Sequence, residues 1–269
     1  MSSSAEVTLR EKAYTIIQRK LLKGEILAGD LVSELSLSDD MGIGRTPVRE
    51  AIIQMEREGL FDKVRRVGTL VKFPNQDELR ELYTVREALE SHAAATAAIV
   101  LSAKNLALMN QLNQELVELV EESRARKLEV LDEALLRRYF DIDIALHAVI
   151  VGSVNSEKTS RIVNEFRVAH CVFEFSCMAY LVDVVDQVTR QHGEILKAIE
   201  RGDSDRARSA MVTHIRSASE HALDRFTSSE VAKKKLLASS GATAVNSPQK
   251  HSRIKQRSRQ RKSVLASED

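Results

Sequence analysis

Four side chains in the second half of the chain have the types and spacing of a metal site. In "YFDIDIALHAVI", Asp143 and His147 stand four residues apart and so share one face of a helix. The rest of that segment (Ile142, Ile144, Ala145, Leu146, Val149, Ile150) is apolar nearly all round, so a carboxylate and an imidazole inside it need partners. His192 in "TRQHGEILKAIERGD" and His214 in "AMVTHIRSA" lie in two further helical segments whose repeats are Ile, Leu, Ala and Val. One Asp and three His on three helices would suit a divalent ion, most simply zinc, with positions left open for water or a ligand. Each His alone reads better as a satisfied or surface helix residue, and Asp143 with His147 reads as well as an ordinary i,i+4 hydrogen bond.

A second group could do different chemistry. In "GIGRTPVREAIIQMEREGL", Val48, Ala51, Ile52 and Met55 follow i, i+3, i+4, i+7 and form the buried stripe of a helix. Gly44 takes the N-cap, and Pro47 falls in the first turn, where its missing N–H has no intrahelical partner to lose. Arg45, Thr46 and Arg49 lie off the stripe at the N-terminal end. Arginines there can bond guanine O6 and N7 in a major groove, and the helix start can bind phosphate. An isolated Arg-x-x-x-Arg on a solvated helix would mean nothing. Its neighbours decide.

Those neighbours form a recognisable unit. Helices are expected over Leu9 to Lys23, Ser33 to Met41 and Arg45 to Glu58, the last closed by Gly59. "LFDKVRRVGTLVKF" then alternates around Arg65, Arg66 and Gly68 as two strands with a tight turn. Three helices and a hairpin make a winged helix-turn-helix, which places residues 1–73 in one domain. Residues 74–76, at Pro74, form a linker. From 77 to 229 the pattern is a bundle of helices at 77–101, 104–126, 129–151, 156–179, 184–201 and 204–226. Residues 230–269 form a basic tail without apolar periodicity, expected to be disordered. The fold class is mainly α, a winged helix-turn-helix followed by an all-α bundle.

Bulk properties agree with this division. The 269 residues suffice for two modest domains, and with three prolines and 4% aromatics, long helices are favoured over sheets. The formal net charge of +1 hides an asymmetry, since residues 77–230 carry 18 Lys/Arg against 26 acids and 231–269 carry ten against two. Cys171 and Cys177 are six apart, which suits neither a zinc knuckle nor a disulfide framework. No apolar leader opens the sequence and the longest apolar run, Ala93 to Leu101, is too short for a bilayer, so a cytoplasmic protein with no membrane partner is expected.

"GRTPVREAIIQMEREGLFDKVRRVGTLV" resembles the DNA-binding domain of the GntR family of bacterial transcription regulators, over residues 9–73. The resemblance implies that Arg45, Thr46 and Arg49 contact double-stranded operator DNA and that the wing at Arg65, Arg66 and Gly68 enters the minor groove. This chain departs from the family in having Gly44 where a Ser or Thr is usual, and Val67 where a polar residue is common. "VREALESHAAATAA", "DIALH", "GSVN" and "QHGEILKAIERGDSDRARSAMVTH" resemble the FCD ligand-binding domain of the family's FadR-like branch, in its shorter, metal-binding subgroup. That resemblance implies that Asp143, His147, His192 and His214 hold a divalent metal ion, zinc first and nickel, manganese or iron as options. It also implies a small carboxylate effector met by an arginine, for which Arg86 is the candidate and Asn164, Arg138 and Arg167 are weaker ones. The expected protein is a homodimeric regulator, a repressor by family habit, reading palindromic half-sites on the nucleoid and not an enzyme. A direct metal sensor and a metal-dependent enzyme acting on a small carboxylic acid are the alternatives.

Overall fold

Thr8 opens the first helix through a reciprocal cap, its hydroxyl accepting from the Glu11 N–H while the Glu11 carboxylate accepts from the Thr8 N–H. The computed structural model describes residues 8–177 and 180–239. Helix α1 (Leu9–Leu22) buries Ala13, Ile17 and Leu21, and Ser33 caps α2 (Glu34–Met41). Helix α3 (Arg45–Arg57) buries Val48, Ala51, Ile52 and Met55, the stripe expected from the sequence. Glu58 and the left-handed Gly59 (φ +75°) end it.

The hairpin is β2 (Phe61–Val64) and β3 (Gly68–Val71), with Val64 opposite Gly68. Sequence pattern missed one element here. Leu31–Val32 forms β1, which pairs antiparallel with β3, so the sheet has three strands in the order β1-β3-β2. Two residues are too few to show alternation, and only the partner strand makes them extended. Gly68 (φ +124°) also lets Leu31 approach, since a Cβ there would stand 3.0 Å from Leu31 Cδ1.

The bundle follows as α4 (Gln76–Val100), α5 (Ala103–Ala125), α6 (Glu133–Gly152), α7 (Glu157–Cys177), α8 (Val182–Glu200) and α9 (Ser204–Ser239). Asn75 and Glu78 cap α4 reciprocally, and Ser102 and Asp132 cap α5 and α6. Two helix boundaries differ from expectation. Helix α6 begins at Glu133 rather than 129, because Val130 bridges Leu181 and the Leu131 N–H donates to the Tyr180 carbonyl. Helix α9 continues to Ser239, past the expected stop at 226 and into the segment assigned to the tail. No Gly or Pro interrupts 227–239, and its alanines, lysines and leucines are good helix formers. Residues 240–269, the rest of the expected tail, lie outside the described residues.

The described residues through Ser228 belong to one compact unit. Helix α4 packs against α6, α7 and α8, and α5 against α6 and α8. Helix α7 also packs on α1, and its Val168 and Val172, 0% and 3% exposed, complete the core of the winged module. Burying each of these valines contributes about 1.5–3 kcal/mol. The Ser176 hydroxyl accepts from the Ala28 N–H at 3.1 Å. Gly24 (φ +59°) faces the Phe175 ring so closely that a Cβ would fall 2.9 Å from it, so a side chain at this position would have to displace that ring as well as strain the backbone. Among the described residues no helix is long and apolar enough to cross a membrane.

Candidate metal centre and nucleic-acid interface

Three helices bring the predicted ligands together. Helix α6 supplies Asp143 and His147, α8 supplies His192 and α9 supplies His214, all buried at 0–6% exposure. The His147 Nε2 stands 3.2 Å from both the His192 and His214 Nε2 atoms, and Asp143 Oδ1 lies 3.6 Å from the His147 and His192 Nε2 atoms. Two nitrogens bound to one ion at about 2.0–2.1 Å, at angles from 90° to tetrahedral, stand roughly 2.8–3.4 Å apart. The four donor atoms all fall within 4.8 Å of one another. An N₃O set of this size fits a divalent ion.

The outer side of each ring matters as much. The His147 Nδ1–H donates to Glu90 Oε2, which leaves the Nε2 lone pair facing the cluster. The other Glu90 oxygen accepts from Arg86 Nε at 2.6 Å, and Glu90 itself is fully buried. His214 Nδ1 faces Gln191 Oε1 at 3.2 Å, which fixes the same tautomer. Gln191 also lines a groove of about 700 Å³ between α5 and α8, so the outer face of the centre is one residue from solvent. The His192 Nδ1 is buried without a hydrogen-bond partner.

Electrostatics fit ligand duty. Burial pushes the His192 imidazole down to about 3, with His147 and Arg167 adding to the shift and Asp143 opposing it. Burial, then His192 and His147, hold His214 well below its ordinary value, so both rings keep a free lone pair. Burial opposes charge on Asp143 and Glu90. Their neighbours outweigh it: His147 and Arg167 hold the Asp143 carboxyl well below its usual range, and Arg86 and His147 do the same for Glu90.

The arginines sort themselves by partner. Arg86 is 3% exposed and tied to Glu90 within the core rather than at the helix surface, while Glu87 is taken by Arg216 through bonds of 2.8 Å. Arg167, 4% exposed on α7, donates from Nη2 to Asp143 Oδ2 at 3.0 Å. Its Nε and Nη1 have no hydrogen-bond partner. Arg138 is turned outward to Glu122, and Asn164 is exposed beside Tyr14, so neither reaches the centre.

Sequence reasoning missed Glu90 as a neighbour of His147. "VREALE" shows only that Arg86 and Glu90 share a face, and nothing local says that the face is inward. It also missed a second buried group, in which Glu174 accepts from Arg225 at 2.6 Å and faces His170 at 3.4 Å. The acid-rich composition of 77–230 hid these internal pairs among surface charge.

At the other end, Arg45, Thr46 and Arg49 are exposed at the start of α3, and Gly44 gives no side-chain cap. The first-turn N–H groups are therefore open to an anion. Arg65, Arg66 (φ +68°), Val67 and Gly68 are exposed around the wing turn, which the Val67 N–H closes onto the Val64 carbonyl at 3.1 Å. All six residues expected to contact DNA thus lie at the surface, on the helix start and the wing.

Residues 9–71 match the bacterial regulatory proteins of the gntR family, and residues 81–217 match the FCD domain. The chain belongs to the GntR family. It is a DNA-binding transcription regulator and not an enzyme, as are the family relatives it matches. The transcriptional repressor RspR of Escherichia coli K12 is 22% identical over 79% of this chain and 88% of its own length. The gluconate operon transcriptional repressor of Bacillus licheniformis is 25% identical over 70% of this chain and 74% of its own length. The solved structure of E. coli McbR/YncC superposes with a TM-score of 0.70 at 17% identity, covering 82% of this chain and all of that one, so the fold is shared. GntR-family regulators bind operator DNA and typically form dimers.

Proposed function

We propose that this GntR-family regulator is a homodimeric repressor whose grip on a palindromic operator is set by a small organic acid held at a divalent ion. Asp143, His147, His192 and His214 would hold the ion, zinc first by donor set, and the convergence of their four donor atoms is the observation that carries the reading. Bound there, the ion would supply a Lewis-acidic point for a carboxylate oxygen. Arg86 and Arg167 complete the anion-binding wall, and Arg167 supplies two unengaged donors. Residues 1–73 read DNA through Arg45, Thr46, Arg49 and the wing, 74–76 connect, and 77–229 bind effector and dimerise. The basic residues from Lys250 to Lys262 would add non-specific phosphate attraction.

Helix α7 supports coupling between the two sites. Arg167 touches a metal ligand, and the next residue, Val168, is fully buried in the core of the winged module. A change in how Arg167 is held therefore acts on the seating of the reading head. By linkage, an acid that weakens operator binding is itself bound less tightly on DNA, by the same factor.

Selection of duplexes from a random pool by the full chain tests the reading. Two inverted half-sites centred one helical turn, about 10 bp, apart or a multiple of it are expected. A single unpaired site, or no enrichment, would refute a dimeric reader.

A further inference from the structure

The buried cluster around Asp143 constrains the charge of its ligand. Two acids and two guanidiniums are interleaved there. Glu90 accepts from Arg86 at 2.6 Å, Asp143 accepts from Arg167 at 3.0 Å, and Arg167 Nη1 lies 3.9 Å from Glu90 as well. These four charges cancel. The three imidazoles must be neutral to offer lone pairs to an ion. A divalent cation held by this set therefore leaves two uncompensated positive charges inside a bundle core where every one of these side chains is at most 9% exposed. Buried net charge is strongly disfavoured unless a counter-charge enters with it.

Arg167 indicates where that counter-charge lands. Its Nη2 is used by Asp143, while Nε and Nη1 are buried with no hydrogen-bond partner. A buried guanidinium with two idle donors, adjoining a ligand carboxylate, is a place for a second anionic group. Arg86 gives its Nε to Glu90, and its Nη atoms are not among the buried donors without a partner.

We infer that the effector is a dianion, a short dicarboxylate with one carboxylate at the ion held by Asp143 and the three histidines and the other on the free donors of Arg167. This rests on the acid-at-a-metal reading above and narrows it. It also makes ion and acid mutually dependent, each raising the affinity for the other by the same factor.

Matched probes test it on the full chain, loaded with zinc or treated with chelator. Calorimetry compares succinate with butyrate and malate with 3-hydroxybutyrate, pairs that differ in one carboxylate, in buffers of different ionisation enthalpy so that proton release is counted. The dicarboxylate of a pair is expected to bind the loaded protein at least about tenfold more tightly than its partner, without proton release and not to the chelated protein. In R167Q the ratio within each pair should fall towards one, and R167K should retain part of it. Equal binding within pairs, or a monocarboxylate that binds with loss of one proton so that hydroxide completes the charge, would overturn the dianion while leaving the effector reading intact. Zinc that binds with no response to any acid would overturn both.

Discussion

The two functional regions of this chain handle charge in opposite ways. On α3 and the wing, Arg45, Arg49, Arg65 and Arg66 are exposed, and Arg49 has only a distant ion pair at 3.8 Å to Glu34. Around Asp143 every charge is buried and interleaved with an opposite one. A surface meant for a polyanion keeps its cations free, because water screens them until phosphate or guanine replaces it. A core meant for a small ligand must neutralise its charges in advance, and any donor left over then has meaning. Arg167 is that leftover.

Breaking the buried side should give the largest effects. His214→Ala removes one of three imidazoles and should weaken zinc binding more than 100-fold, beyond the range set by outer residues, as read by competition with a chromophoric chelator. Unchanged affinity would remove His214 from the centre. Glu90→Gln keeps an acceptor for His147 but loses the charge that holds Arg86, so a 10–100-fold loss of zinc affinity is expected in the same assay.

On the exposed side, Arg49→Ala should cost about 1–3 kcal/mol of specific DNA binding with little change on random DNA. Equal losses on both would reduce Arg49 to a phosphate contact. Between the two regions, Val172→Ala should cost about 1–2 kcal/mol of stability, measured by denaturant unfolding, and shrink the effect of acid on DNA affinity while leaving zinc binding unaltered. The broadest effect is on pH. His192 and His214 have folded values far below their unfolded ones, so below about pH 6.5 the unfolded chain takes protons that the folded chain refuses. Metal-free protein should therefore lose stability steadily as pH falls from about 6.5 towards 3. Protonation of Asp143 and Glu90 adds to the loss below about pH 4, where the unfolded carboxyls fill first. A flat Tm across pH 5–7 would contradict neutral, buried imidazoles.

The same contrast explains what was legible beforehand. The reading helix could be found because its evidence is local: the buried stripe, a tolerated proline and the paired arginines lie within a dozen residues, with the hairpin directly after. The four candidate ligands could be picked as residue types on apolar helices, since a His among Ile, Leu and Ala is conspicuous. Glu90 could not, because α4 carries polar residues on several faces and only packing against α6 makes one of them internal. Strand β1 escaped for a related reason, being extended only because β3 lies beside it. Arg167 was hardest. Its meaning lies in two hydrogen bonds it does not make, which no spacing in the sequence can express.

The most direct test of the link between the regions uses the duplex selected by the full chain. Its affinity is measured against rising malate for zinc-loaded and chelator-treated protein. A malate-dependent loss of DNA affinity is expected in the zinc-loaded protein alone. The same response in both, or none in either, would contradict control of DNA reading by an acid held at the Asp143–His147–His192–His214 centre.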